Sequence, residues 1–445
     1  MFKKILSSQL RVNMASGTVT TVMNIAVMAA GYSIYLHFLG YEKYGVWLVL
    51  ATVLTFAQLG NLGMGPAVMK LVAEEYGRGD IKGIQHYVTT ALVMLCISGT
   101  VALIVILALK SQIVAMFKLS DENAKMVLWL LPYIGLLSIY VFMVQVFDAA
   151  LSGLGRMDLS NYIQSTGRIV AVIVAAVLLY AGRGIESLLI ASIASYLILH
   201  IAYLVCIWRI APIRFLQISS FDVYRCKRLL HFGGAVFGSS LISMLFNPFN
   251  KLMLSRYVGV AAVPIYEIAF QSAVQVRALL ETALRPILPE ISRLSGLATI
   301  VSAERIRTIN RRLIKLILWY GSPFYVFLFL ASGILMRFWL RENYNSTLLL
   351  PFRLILLGTF LNLLAVPAYH TLLGLGKVRS SIISAMIISG GNFVLVLGRF
   401  ILTGHVSVTG IFAGLILLFA TSTVYLMGRA YREITFLQAA VATNS

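Results

Sequence analysis

The sequence predicts an all-α polytopic membrane protein, and three observations carry that expectation. Apolar residues make up 60% of the 445 and charged residues only 12%, a balance far from that of a soluble domain. Twelve apolar runs approach or exceed about 20 residues, enough for a helix to cross roughly 30 Å of hydrocarbon. The two halves of the chain also echo each other at an offset of about 220 residues, the mark of an internal duplication. Gly153-Leu154-Gly155-Arg156 returns as Gly374-Leu375-Gly376-Lys377, Pro66 as Pro286, and Gly40 as Gly259.

In chain order the runs fall near 14–38, 44–69, 87–109, 126–150, 162–181, 188–208, 232–257, 264–289, 312–336, 348–372, 380–401 and 407–428. Met1 to Arg11 carries two lysines near its start but no small-residue cleavage site after them, so the first run is expected to be kept as a span. Six spans per half return the chain to its starting side, so the repeats are parallel. The expected layout is two pseudo-symmetric six-helix bundles around a central cavity. The N-terminal bundle is 1–208, a basic linker is 209–231, and the C-terminal bundle with a short tail is 232–445.

The formal charge of +20 invites a nucleic-acid reading, but its distribution speaks against one. With the N-terminus inside, 22 of the 36 Lys and Arg residues lie on inner segments and 9 on outer ones. That asymmetry is the positive-inside rule and places both termini in the cytoplasm. The richest inner segments are 209–231 with five basic residues and 290–315 with six, where attraction to anionic lipid is the plain account. No His, Cys or carboxylate spacing forms a metal pattern. No Gly-x-x-x-x-Gly-Lys-Ser/Thr loop occurs, so neither metal nor cofactor is expected.

Polar residues concentrate in spans 1, 2, 7 and 8. Span 1 carries Asn24 on a face with Ser16 and Thr20, and span 2 carries Gln58 and Asn61. Span 7 carries Asn247, Asn250 and Lys251, with Pro248 expected to break its helical bonding. Span 8 carries a stripe of Glu267, Gln271, Gln275 and Arg285, with Arg277 and Glu281 on its edge. Gly60, Gly63 and Gly65 in span 2 suit close helix packing. A charge at mid-bilayer costs roughly 2.5–3.5 kcal/mol even on the lenient insertion scale. Lys251, Arg277 and Arg285 are therefore read as cavity residues, and Glu267 and Glu281 as candidates for coupling to an ion or proton. Asp148, Arg168 and Arg353 are read as locally paired or snorkelling. The intramembrane charges are mostly basic, which suits an anionic substrate whose phosphate oxygens a guanidinium can clamp.

Residues 40–80, GYEKYGVWLVLATVLTFAQLGNLGMGPAVMKLVAEEYGRGD, resemble the first-repeat signature of polysaccharide and O-antigen flippases. A Gly-x-x-x-Tyr-Gly turn opens span 2, a Leu-Gly-Asn-Leu-Gly-Met-Gly segment follows, and the inner loop ends Gly-Arg-Gly-Asp. The Gly-Leu-Gly-Arg and Gly-Leu-Gly-Lys turns after spans 4 and 10 are similar to that family as well. The resemblance implies the multidrug/oligosaccharidyl-lipid/polysaccharide exporter fold, with a V-shaped cavity between its bundles. It implies carriage of an undecaprenyl-pyrophosphate-linked oligosaccharide repeat unit from the cytoplasmic to the periplasmic leaflet of a bacterial inner membrane. Membrane lipids and a glycan polymerase or other assembly machinery would be the partners. Two other readings compete. A drug or organic-cation antiporter wants an acidic residue facing the first-half cavity, and spans 1 and 2 hold none. A glycan polymerase or ligase usually needs catalytic acids or a sizeable outer loop, and the outer connections are sparse.

Overall fold

The computed structural model describes residues 2–212, 221–282, 291 and 300–442. It is helical throughout, with no strand among the described residues. The chain separates into two compact units, Met1–Val263 and Pro264–Ser445.

The first unit begins with α1, Phe2–Ala57, a helical stretch interrupted at Gly40, where φ is 66° and ψ −178°. A straight helix would set Tyr32 and Tyr44 about 18 Å apart along its axis. Their ring centroids lie 6.2 Å apart instead, and Tyr35 and Tyr44 lie 5.6 Å apart. The chain therefore doubles back at Gly40, the left-handed position only glycine adopts without cost, and spans 1 and 2 form a hairpin. A 3₁₀ turn at Gln58–Asn61 follows, then α2, Met64–Arg78.

The connection after α2 is short. Gly79 (φ 74°) ends α2 in the left-handed cap conformation, and Asp80 begins α3, Ile81–Ala108, by accepting a hydrogen bond from the Gly83 amide at 2.9 Å. The Gly-Arg-Gly-Asp motif is thus a C-cap and an N-cap in adjacent residues. Further along come α4 (Lys110–Phe117), α5 (Asp121–Gly153), α6 (Met157–Tyr180), α7 (Glu186–Ile210) and α8 (Val223–Tyr257). Met64, Val68, Tyr87, Leu92, Phe142 and Phe147 form one core where α2, α3 and α5 meet. Val46, Leu50, Val127, Leu130 and Ile134 form a second. Arg228 ties the start of α8 to α2 and α3, donating to the Tyr87 hydroxyl at 2.7 Å and to Glu74 at 3.2 Å.

The second unit contains nearly all of α9 (Ala262–Thr282), then α10 (Ile300–Leu316), α11 (Ser322–Leu340), α12 (Leu349–Leu364) and α13 (Val366–Gly374). It continues through α14 (Val378–Ala385), α15 (Gly391–Thr403) and α16 (Val408–Ala442). Five-residue π turns join α10 to α11 and α14 to α15. Helices α10, α12, α13 and α15 all pack on α16.

The duplicated glycine turns have the same backbone. Gly155 and Gly376 take φ of 82° and 74°. The amides of Arg156 and Lys377 reach back to the carbonyls of Leu151 and Leu372 at 3.3 and 2.8 Å. Both turns are therefore the same left-handed helix termination.

Large apolar side chains face outward along the helices, among them Ile97, Val101 and Ile104 on α3, Val177 on α6, and Leu330, Ile334 and Phe338 on α11. Contiguous apolar surface of this extent belongs in lipid rather than water. Nine stretches among the described residues are long and apolar enough to cross a membrane, so the chain is a multi-pass membrane protein. Twelve spans are expected from the sequence, and the difference has physical causes. Spans 1 and 2 merge into one stretch through the Gly40 turn. Span 7 is present as α8 and span 8 as α9, whose polar stripe keeps it from qualifying, and residues 283–289 of span 8 lie outside the described residues. Pro248 does not break span 7: α8 runs through it, so the missing N–H removes one rung of the ladder without ending the helix.

Candidate functional site

A polar cavity lies among three membrane-spanning helices of the first unit. Three successive long helices, α5, α6 and α7, each carry polar residues at helical spacing: Gln145 and Asp148, Gln164 and Arg168, Ser192, Ser195, Tyr196 and Tyr203. These side chains line a cavity of about 460 Å³, within the range of roughly 300–1,000 Å³ typical of small-molecule sites.

Asp148 organises one end of it. Its carboxylate accepts hydrogen bonds from the Tyr203 hydroxyl at 2.9 Å, the Gln164 amide at 3.1 Å and the Ser160 hydroxyl. Three donors around one carboxylate compensate the desolvation of that charge. Asn61, in the turn between α1 and α2, donates to Gln145 and with its own oxygen caps the Met64 amide at 3.2 Å. The span 2 break and the cavity wall are thus joined. On the neighbouring helix pair, Asn161 of α6 donates to Ser16 of α1 at 3.1 Å.

The chemistry on offer is planar and multivalent: a carboxylate, a guanidinium, two carboxamides, two phenols and two hydroxyls. Such groups recognise a ligand rich in hydroxyls, which donates and accepts at each position. Of these residues, sequence reasoning singled out only Asp148 and Arg168, as locally paired charges. Asp148 is indeed paired, but at a cavity. The available signal was the repetition of polar residues at i, i+3 or i, i+4 on three consecutive apolar spans.

The cation candidates are placed differently. On α8, Asn250 is fully buried, Asn247 and Lys251 are half-buried, and Pro248 is buried between them. On α1, Asn24 is half-buried and its buried side-chain oxygen has no hydrogen-bond partner among the described residues. Gln58 is half-buried in the turn that follows.

In the second unit, α9 brings its stripe together pairwise. Gln271 donates to Glu267 at 3.3 Å, and Arg277 donates to Glu281 at 2.9 Å one turn away. Gln275 lies half-buried between the two pairs. Only one end of the Arg277 guanidinium is occupied by Glu281, and its buried Nε has no partner among the described residues. Arg285 lies outside the described residues. Arg353 behaves as a paired charge, donating to Ser332 at 2.9 Å and lying over the Phe329 ring at 5.2 Å.

Comparisons with known proteins agree with this architecture. Residues 36–349 match the sequence model of the family described as "Polysaccharide biosynthesis protein". A Shigella flexneri protein named "Putative O-antigen transporter" is 22% identical over 349 residues, covering 77% of this chain and 79% of that one. Among solved structures, an inward-facing multidrug resistance MATE family transporter of the MOP superfamily superposes with a TM-score of 0.72 at 14% identity. That alignment covers 98% of this chain and 99% of the other. A variant of the Vibrio cholerae MATE transporter VcmN gives 0.67 at 13% identity, covering 97% of each chain. At these identities the structural matches establish the fold.

Proposed function

The chain belongs to the polysaccharide biosynthesis protein family, and on that premise we propose that it is a flippase. It carries undecaprenyl-pyrophosphate-linked oligosaccharide repeat units from the cytoplasmic to the periplasmic leaflet by alternating access, in a bacterial inner membrane with both termini cytoplasmic. The observation that carries this reading is the cavity of about 460 Å³ around Asp148, Gln164, Arg168 and Tyr203. A lipid-facing helical protein has no structural need for so many hydroxyl-binding groups at membrane depth. A sugar that must cross the hydrocarbon layer does need them.

In this reading the repeat unit exchanges its water for the cavity's hydrogen bonds, while the polyprenyl tail stays in the bilayer. Lys251, Arg277 and Arg285 meet the pyrophosphate. The partner-free Nε of Arg277 leaves one edge of its guanidinium for an oxyanion. Glu267 and Glu281 are the coupling carboxylates, because protonation of Glu281 releases Arg277 from its ion pair. Asn24, Gln58, Asn61, Asn247, Asn250, Gln271 and Gln275 supply further polar lining. The name of the Shigella relative supports an O-antigen or similar surface polysaccharide as the product served.

The test is the leaflet distribution of lipid-linked oligosaccharide in cells with and without the chain, then with Lys251→Ala or Arg277→Ala. Loss of a charge-assisted hydrogen bond of about 1.5–3 kcal/mol predicts a drop in translocation of about 10- to 100-fold at unchanged membrane abundance. Wild-type translocation in both variants would remove these cations from the transport path. An unchanged leaflet distribution in cells lacking the chain, together with heightened sensitivity to cationic drugs, would replace the flippase by a cation antiporter.

A further inference from the structure

A second cavity, in the other unit, is built for a different ligand. It holds about 280 Å³ and lies among α10, α13 and α16. Its floor is apolar, formed by Ala368 and Ile434, both buried, with Ile314 and Met427 beside them. Its rim is basic: Arg307, Arg311 and Lys315 recur every fourth residue and so share one face of α10. Like charges at that spacing destabilise a helix unless something neutralises them. No carboxylate pairs with any of the three among the described residues, although Glu433 on α16 pairs with Lys377 at 3.0 Å and Arg429 at 3.1 Å.

Two further observations point to a ligand. Asn310 lies on the same wall with only 9% of its surface exposed, and its buried side-chain oxygen has no partner among the described residues. A half-turn of its amide would present two N–H donors there instead. Arg307 is steadied over the Tyr431 ring at 5.8 Å, which fixes the guanidinium while leaving its N–H edge available.

We propose that this cavity binds a lipid-borne phosphate. Arg307, Arg311 and Lys315 take the oxyanion, Asn310 donates from below, and the apolar floor receives the first carbons of the lipid. The site opens at the basic-rich face of the membrane, cytoplasmic in the topology proposed above, where two donors of that chemistry exist: an anionic phospholipid headgroup and a polyprenyl pyrophosphate. Diffuse attraction of a basic segment to an anionic leaflet needs no cavity and no buried amide. The Asn310 wall and the apolar floor are what distinguish a site from a charged surface.

The experiment is native mass spectrometry of the full chain in detergent, titrated separately with phosphatidylglycerol and geranylgeranyl pyrophosphate. It reads binding alone, so its outcome is independent of whether translocation is observed. The expected result is retention of one of these probes by the wild-type protein, weakened about tenfold in R307Q/R311Q. In R305Q/R312Q, which removes the same charge from exposed positions of α10 that do not line the cavity, retention should change less than about twofold. Preference for phosphatidylglycerol would identify a bilayer lipid as the resident, and preference for the pyrophosphate would identify the carrier. Equal weakening by the two double variants, or retention of neither probe by the wild type, overturns the proposal.

Discussion

Asp148→Leu is expected to lower the thermal stability of the purified protein by about 3–5 kcal/mol, because a charge-accepting hydrogen bond is worth about 1.5–3 kcal/mol and three converge on this carboxylate. The estimate stays below the sum of three because Gln164 and Ser160 already approach each other at 3.4 Å and retain a partner when Asp148 is removed. Tyr203 is 1% exposed, and with the carboxylate gone its hydroxyl keeps only the neutral Ser160 and Gln164 side chains beside it. Asp148→Asn should be milder, since its oxygen still accepts while its NH₂ opposes the surrounding donors. The discriminating measurement is the double-mutant cycle with Tyr203→Phe. Removing that hydroxyl as well should make the D148L/Y203F double variant less costly than the two single losses combined. A D148L loss within the roughly 0.5 kcal/mol of an ordinary surface change would refute the hydrogen-bonded cluster. Translocation in D148L should fall further than stability explains, because the same carboxylate faces the cavity.

That cluster lies beyond what local sequence signals carry. Apolar run length and the duplicated glycines are local signals. A helix must span the bilayer wherever its neighbours sit, and a left-handed turn needs glycine whatever packs beside it. Hence Gly155 and Gly376, found as a repeat of letters, prove to be the same helix termination. Arg277 and Glu281 were legible for the same reason, since i, i+4 spacing alone brings them together. The cavity is a property of how three helices are rotated about their axes. Asp148, Gln164 and Tyr203 are 16 and 39 residues apart along the chain, and each taken alone resembles a tolerated polar residue in an apolar span. The relation of the cations of α8 and α9 to a substrate depends likewise on packing that no local spacing records. At Pro248 the local loss of a backbone hydrogen bond is real, and the rest of α8 is long enough to absorb it.

The other large effect is expected at Gly63, inside the Leu-Gly-Asn-Leu-Gly-Met-Gly segment. Leu62 and Gly63 both have positive φ, 51° and 72°, so span 2 is broken near its middle and restarted at α2. A left-handed residue other than glycine costs about 1–2 kcal/mol, and Leu62 already bears that strain. At Gly63 a Cβ would also drive into the carbonyl group of Gly233 on α8, and the reciprocal Cβ at Gly233 would meet the Leu62 oxygen at 2.8 Å. Two backbones touch here, so no side chain can rotate away, and overpacking of this kind adds about 1–3 kcal/mol. Gly63→Ala should therefore cost about 2–5 kcal/mol in total, seen as lower membrane abundance and a lower unfolding temperature in detergent. Gly65→Ala is the control: nothing lies within 4 Å of its Cβ position, and α2 should gain from alanine's helix propensity by up to about 1 kcal/mol. Gly63→Asn separates the two causes, since asparagine tolerates the left-handed region but keeps the Cβ. If Asn restores stability, the backbone conformation dominates; if Asn is as damaging as Ala, the contact with α8 does. Equal stability of the Gly63→Ala and Gly65→Ala proteins would mean that α2 and α8 do not meet at these glycines. In that case the mid-membrane break would need another cause than the close approach of two helices.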